Sequence, residues 1–256
     1  MSVTHEHAPL WRTQTHAALV VAKKDMRIYY LKPPVLIFGV IFPVFFFLAF
    51  TVGRPVALDA MVPGMLAMAL FFTASAVGPL VTPWERQAKT YERLVTSPAS
   101  FEAILCGDIL AGTAFGVMFA FVPLILGLVV TDAQVVFPER IVLGVTLGAL
   151  AFASLGVLLS APATDSPSQI MMLSNLVRLP LIFVSGVFIP ISEMPRWGRW
   201  IAPLSPLSYC VDLIRAGYGE ALHFGLWVDV VALVAFLGLF SLGARHFHRR
   251  SRRKAQ

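Results

Sequence analysis

Residues 60–82 read AMVPGMLAMALFFTASAVGPLVT, with no charged side chain, and residues 84–100, WERQAKTYERLVTSPAS, follow at once with three basic and two acidic ones. An unbroken apolar run of about 20 residues is what a helix rising ~1.5 Å per residue needs to cross a ~30 Å hydrocarbon core. The run lacks the period-two alternation of lipid-facing strands, so it reads as a membrane-spanning helix. Five more runs of this kind, at 35–52, 109–130, 141–160, 171–191 and 226–244, predict six spans. Composition agrees: 57% of residues are hydrophobic and 13% charged, against roughly 25% charged in a soluble domain. The fold expected is all-α and integral to the membrane. A segment of residues 1–34 precedes a six-helix transmembrane domain at 35–244, and a basic tail occupies 245–256.

Orientation follows from Lys and Arg, which are retained in cytoplasmic loops. The N-terminal segment, the loop beginning at Trp84, the loop after the fourth span and the tail hold fourteen of them together, and the alternate set holds five. Both termini and the Trp84 loop are therefore expected in the cytoplasm of a cell-membrane protein. The twentieth, Arg178, falls inside the fifth span. At the bilayer centre an arginine costs ~2.5 to 3.5 kcal/mol on insertion scales, so it must snorkel, pair or face water in a cavity. Asn175 one turn earlier and Pro180 two residues later support the third placement. Asp229 reads as interfacial. The net charge of +6 is accounted for by topology and by anionic headgroups, which attract juxtamembrane basic clusters; nucleic-acid binding is not expected.

No G-x-x-x-x-G-K-[ST] motif is present, so no backbone cradle for nucleotide phosphates is expected in this chain. HExxH and GxSxG are missing too, and no catalytic constellation, cofactor or metal site is read. His5, Glu6, His7 and His16 form only a loose N-terminal cluster. No cleavable signal peptide is expected, since the first 34 residues lack an apolar core of the required length. Cys106 and Cys210 fall on opposite sides of the predicted membrane and are expected as free thiols. The spacings Gly112/Gly116 and Gly144/Gly148 would permit close helix contact.

Two shorter patterns add detail. Leu10, Ala17, Val21 and Ile28 share a helix face, which predicts an amphipathic interfacial helix, although Gln14 and Asp25 interrupt its apolar stripe. Between the fifth and sixth spans, Trp197, Trp200, Ile201 and Leu204, and then Leu207, Val211, Ile214 and Tyr218, mark two short outer helices at about 195–220. Trp and Tyr there also suit a membrane-interface anchor.

Three motifs carry a resemblance. They are ERQAKTYERL (85–94) followed by TSPAS (96–100); Pro180 with FVSGVFIP (183–190) and MPRW (194–197); and SPLSY (205–209) with Val211, Asp212 and Arg215. Together they resemble the permease subunits of type-2 ATP-binding-cassette (ABC) exporters, the group that includes daunorubicin-resistance and polysaccharide-export permeases. The likeness runs from about Ala18 to Ala244. Lys89 stands where that family usually has glycine, and Gln87 where an acid is common.

The resemblance implies a cytoplasmic coupling helix at about 84–97 that docks on a separate ATPase, carrying Glu85, Arg86, Lys89, Thr90, Glu92, Arg93 and Pro98. On the residues alone, Glu85, Lys89 and Glu92 fall at i, i+4 and i+7, Pro98 ends the helix, and Ser100 is placed to cap the third span. A solvated charged loop is the plainer alternative. A translocation pathway is expected near Asn175, Arg178, Pro180 and Phe183, from the charge that Arg178 carries inside a span. The resemblance also implies an outer gate of re-entrant helices using Ser185, Gly186, Pro190, Trp197, Pro206, Tyr209 and Arg215. The expected assembly is two permease subunits, as a homodimer, with two copies of an ABC ATPase that binds ATP and Mg. With twelve residues after the last span, the ATPase is expected as a separate chain. The expected activity is export of a hydrophobic or amphipathic cargo, a drug, lipid or lipid-linked glycan, by alternating access. An ion-coupled secondary transporter and a non-transporting membrane scaffold are the alternatives.

Overall fold

The computed structural model describes residues 10–29, 33–51, 59–88, 100–131, 133–162 and 166–255. Among them there are helices and turns and no strand. Helix α1 is Leu10–Tyr29. Helix α2 (Pro33–Leu36) runs through a π-helical turn, Ile37–Ile41, into α3 (Phe42–Thr51). In that turn the Phe42 N–H reaches back to the Ile37 carbonyl, and Pro43, which follows, has no N–H with which to restore the ordinary ladder. Then come α4 (Val62–Gln87), α5 (Phe101–Val130), α6 (Pro138–Leu159), α7 (Pro167–Phe183), α8 (Arg196–Ile201), α9 (Pro206–Gly217) and α10 (Leu226–Ala255).

Four helices among the described residues are long and apolar enough to cross a membrane: α4, α5, α6 and the Leu226–Arg249 part of α10. Several boundaries differ from those expected, among them three with consequences for the ends of the bundle. Helix α5 begins at Phe101, not 109, because Ser100 caps it: its backbone is extended and its Oγ accepts from the Ala103 N–H at 3.1 Å. That start draws Glu102 and Asp108 into the helix. Helix α7 stops at Phe183, short of 191, where the chain turns through Gly186 at φ +84°. Helix α10 continues without a break to Ala255, so the described part of the basic tail forms its last turns.

Helix α4 is the centre of the bundle, buried from Val62 to Pro83 and packed by α5, α6, α7 and α9. Small residues let the backbones approach. A Cβ on Gly112 would lie 2.7 Å from the Ala74 carbonyl oxygen, one on Gly116 2.7 Å from Ala74 Cβ, and one on Gly78 2.5 Å from the Gly156 carbonyl. Phe71 and Phe152 meet edge to face at 4.9 Å beside these contacts. The Gly144 and Gly148 pair serves α9, where Cβ atoms would meet Leu213 Cβ at 3.1 Å and Cys210 Sγ at 2.6 Å.

The polar contacts define two ends. At one, α1, the last turn of α4, the first turn of α5 and the last turns of α10 come together. At the other, Gly64 of α4 abuts Val187, and the linker before α6 meets the end of α9, where the Val136 and Phe137 N–H groups both donate to the Gly217 carbonyl at 2.9 Å.

Candidate functional site

Of the expected coupling residues, Lys89, Thr90, Glu92, Arg93 and Pro98 lie outside the described residues, as do His5, Glu6 and His7 of the N-terminal cluster. Glu85 and Arg86 are in the last turn of α4, so the expected 84–97 segment begins inside a span helix. Glu85 is buried and pairs with Lys24 of α1. Arg86 donates to the Pro162 carbonyl at 2.7 Å, which ties α4 to the linker after α6. On the far side of the segment, the Ser100 N–H donates to Gln14 Oε1 at 2.7 Å, and Glu102 pairs with Arg249 and, at 3.3 Å, with Arg245.

The residues that sequence reasoning missed here are Gln14, Lys24, Asp25 and Asp108. Their signal was the interrupted stripe of α1. Gln14 and Asp25 spoil an apolar face because that face does not meet lipid alone: Ala18 and Val21 are buried and lie against α5, where Gly107 leaves room for them. Ile28 is exposed and Val21 buried, so the buried stripe is rotated from the expected one. Lys24 Nζ stands 3.1 Å from Asp25 Oδ1, and Asp108 of α5 completes the group. Burial, with the Glu85 charge adding to it against the pull of Lys24, pushes the Asp25 carboxyl up from its ordinary 3.8 to about 6. Burial alone would lower the Lys24 pKa, but Asp25 and Glu85 outweigh it and raise it.

Arg178 is 1% exposed. Of the three placements open to it from the sequence, the structure shows the one inside the chain: its guanidinium donates to the Ser75 carbonyl of α4. That carbonyl has lost its helical partner, since residue 79 is proline and has no N–H to offer. Asn175 Oδ1 is buried without a hydrogen-bond partner among the described residues. Phe183 is exposed and tilts against Phe188 at 5.6 Å, and Pro180 is exposed on α7.

At the opposite end lie the expected outer-gate residues, of which Arg215 is tied by a hydrogen bond to Gly186. Ser185 Oγ donates to the Ile182 carbonyl at 2.7 Å, and Pro190 precedes the short turn Ile191–Glu193. Pro206 opens α9. Tyr209 donates to the Pro203 carbonyl at 3.0 Å and packs on Phe224 at 4.8 Å. Arg215 donates to both Glu220 oxygens, at 3.0 and 3.1 Å, and to the Gly186 carbonyl at 3.3 Å. A cavity of about 200 Å³ lies among Gly186, Asp212, Arg215, Glu220 and His223. The two outer helices differ. Helix α8 exposes Trp197 and Trp200, whereas α9 is buried throughout, with Leu207, Val211 and Ile214 at 1% exposure or less. Asp229, expected at the interface, is fully buried in the first turn of α10.

A family model described as ABC-2 type transporter matches residues 16–218. The chain belongs to that family. Nodulation protein J of Rhizobium meliloti is 27% identical over 171 residues, 60% of either chain. The inner membrane transport permease YadH of Escherichia coli is 24% identical over 181 residues, 71% of this chain and 70% of that one. Nodulation protein J of Bradyrhizobium diazoefficiens is 30% identical over 178 residues, 63% of either chain. This chain thus spans about 60% of the first of these relatives. The ABC-2 match takes in α1 from residue 16, the base of α4, buried Arg178 and the whole of α9, while Gln14, Glu220, His223 and α10 lie outside it. The two free cysteines, Cys106 exposed and Cys210 buried, lie in α5 and α9 of this ABC-2 chain.

Proposed function

We infer that the chain is the membrane-spanning permease subunit of an ABC transporter and works with a separate ATPase that binds ATP and Mg. The observation that carries this reading is the family match over residues 16–218, joined to the course of α4. That one buried helix begins beside the outer elements and ends at Glu85 and Arg86, so movement at its base is passed along close-packed backbone. In this reading the segment at about 84–97 docks on the ATPase, and six spans per subunit pair in a homodimer of twelve with two ATPase copies. Helices α8 and α9 form the outer gate, with α9 re-entering the bundle. Both termini are cytoplasmic. Met172, Leu176 and Phe183 on α7 are 74%, 69% and 68% exposed, an apolar face available to a second subunit or to lipid.

The cargo proposed is hydrophobic or amphipathic, a drug, lipid or lipid-linked glycan, exported by alternating access. Moving such an equilibrium from ~1:99 to ~99:1 takes about 5.5 kcal/mol of differential binding, which nucleotide must supply. The test is purification of the tagged chain from its native membranes in mild detergent. An ABC ATPase should accompany it, and Glu92→Lys should release the ATPase while leaving the chain inserted. Purification without any ATPase, or unchanged capture by Glu92→Lys, would overturn the assignment.

The ion-coupled alternative has one observation in its favour, the burial of Asp108 and Asp229. They sit near the starts of different helices, α5 and α10, at opposite ends of the bundle and not at a shared midplane site. Transport persisting without ATP but collapsing with the proton gradient would favour it.

A further inference from the structure

At the end of the bundle away from Glu85 and Arg86, the chain leaves α9, turns back as the loop 218–225 and enters α10. The loop turns at Gly219 and Gly225, where φ is +93° and +100°, values that glycine takes without strain. Two side chains of α9 hold it. Asp212 accepts from the His223 N–H with both oxygens and from the Phe224 N–H, each at 2.9 Å. Arg215 pairs with Glu220. The loop, α9, Gly186 and residues 190–192 line the cavity of about 200 Å³. A water in the liquid takes about 30 Å³, so the space admits a small molecular group.

The hydrogen-bonding capacity left over in this cavity is donor capacity. Asp212 is buried and spends its oxygens on backbone N–H groups. Both Glu220 oxygens meet a single nitrogen, Nη1 of Arg215, at 3.0 and 3.1 Å. Nη2 donates to the Gly186 carbonyl at 3.3 Å, and Nε is buried with no hydrogen-bond partner among the described residues. Nε and Nη2 make up one edge of the guanidinium, the fork that fits a carboxylate or phosphate with two parallel bonds. Glu220 sits at Nη1 and leaves that edge under-used. A buried N–H without an acceptor is costly, and an oxyanion on the Nε–Nη2 edge would remove the cost.

Glu220 is also the replaceable partner. Its side chain is 38% exposed and borne by the loop, against 9% for Arg215 on α9. It already seats a carboxylate on Arg215, so an incoming monoanion exchanges one negative charge for another. The newcomer meets no repulsion from Asp212, or from Asp229 beside it, that Glu220 does not meet now. Once displaced, Glu220 turns to solvent, and the loop loses one of its two side-chain ties to α9.

We propose that Arg215 anchors a binding site for a carboxylate or phosphodiester anion, and that Glu220 is its built-in competitor. The site goes beyond the permease reading and does not depend on it, because it is read by binding to the purified chain, without ATPase or transport. A merely structural Arg215–Glu220 pair predicts no anion binding at all.

The experiment titrates the full chain, in an uncharged detergent, with acetate and with dimethyl phosphate at constant ionic strength set by chloride, and reads the heat of binding. Wild type should bind both anions. Glu220→Gln, which removes the competing charge and keeps Arg215, should bind them roughly fivefold more tightly. Arg215→Lys, which keeps the charge and loses the fork, should bind roughly tenfold more weakly. If Arg215→Lys fails to accumulate, Glu220→Gln decides alone, since its change lies on the exposed loop. Adding phosphatidylglycerol to the micelles separates the two sources of the anion. Acetate binding weakened at least fivefold in wild type assigns the site to a lipid headgroup, and unchanged affinity assigns it to free anions; the site stands in either case. Absence of binding in both wild type and Glu220→Gln would overturn the proposal. So would equal affinities in those two chains, or wild-type affinity in Arg215→Lys.

Discussion

Arg178 donates to the carbonyl of Ser75, the acceptor that Pro79 leaves unpaired one turn further along α4. The proline ring also presses on the carbonyl four residues back, and Gly156 gives that carbonyl room, since a Cβ there would stand 2.4 Å from its oxygen. A charge that looks anomalous inside a span thus completes a backbone that looks broken. The two faults match each other.

The pairing gives a double-mutant test. Arg178→Ala should lower unfolding stability in detergent by about 1.5 to 3 kcal/mol, the range for a hydrogen bond to a charged group. In the Pro79→Ala background the loss should be smaller, because residue 79 then supplies an N–H of its own. Strictly additive effects would show that the two residues are not linked.

Gly78 and Gly156 form a second sensitive point, because each faces backbone that cannot rotate away. Gly78→Ala and Gly156→Ala should each reduce stability by about 1 to 3 kcal/mol or more, the cost of overpacking. Gly238→Ala is the control: nothing lies within 4 Å of the place its Cβ would take, so better helix propensity should make it neutral or mildly stabilising. Thermal unfolding of the three variants side by side checks the ranking.

Docking of α1 should depend on pH through Asp25. Its carboxyl is raised by burial to about 6, so the folded state holds a proton that the unfolded state has released. The stabilisation is complete below the ordinary carboxylate range and is lost as pH rises through about 6. The facing groups are Lys24 on α1, Glu85 on α4 and Asp108 on α5. Hydrogen exchange of α1 amides, corrected for intrinsic rates, should therefore show more protection at pH 5 than at pH 7. Asp25→Asn should flatten that difference, and an unaltered pH dependence in that variant would assign it elsewhere.

Topology is open to labelling in cells. With native cysteines removed, Ala88→Cys should react with a membrane-impermeant thiol reagent only after the cells are opened, and Trp200→Cys in intact cells. Both positions are exposed, so burial would not mask the result. The reverse pattern would invert the orientation.

By itself the sequence determined the helical membrane class, the approximate places of the four span-length helices among the described residues, the capping of α5 by Ser100 and the family motifs, because apolar run length, cap chemistry and motif spacing are local properties of a chain. Only tertiary structure decided what the irregular residues do. Pro79 and Arg178 each read as a defect until α4 and α7 pack and bring a freed carbonyl to a guanidinium 103 residues away. Gln14 and Asp25 read as flaws in an amphipathic stripe until α1 lies on α5 and against the base of α4, where Gln14 meets Ser100 and Asp25 lies beside Asp108. The stripes of α8 and α9 look alike as patterns, yet α9 is swallowed by the bundle and α8 is not, because only α9 finds Gly144 and Gly148 opposite it. A residue's periodicity records which neighbours it has along its own helix; which surface that helix will meet is set by the other helices.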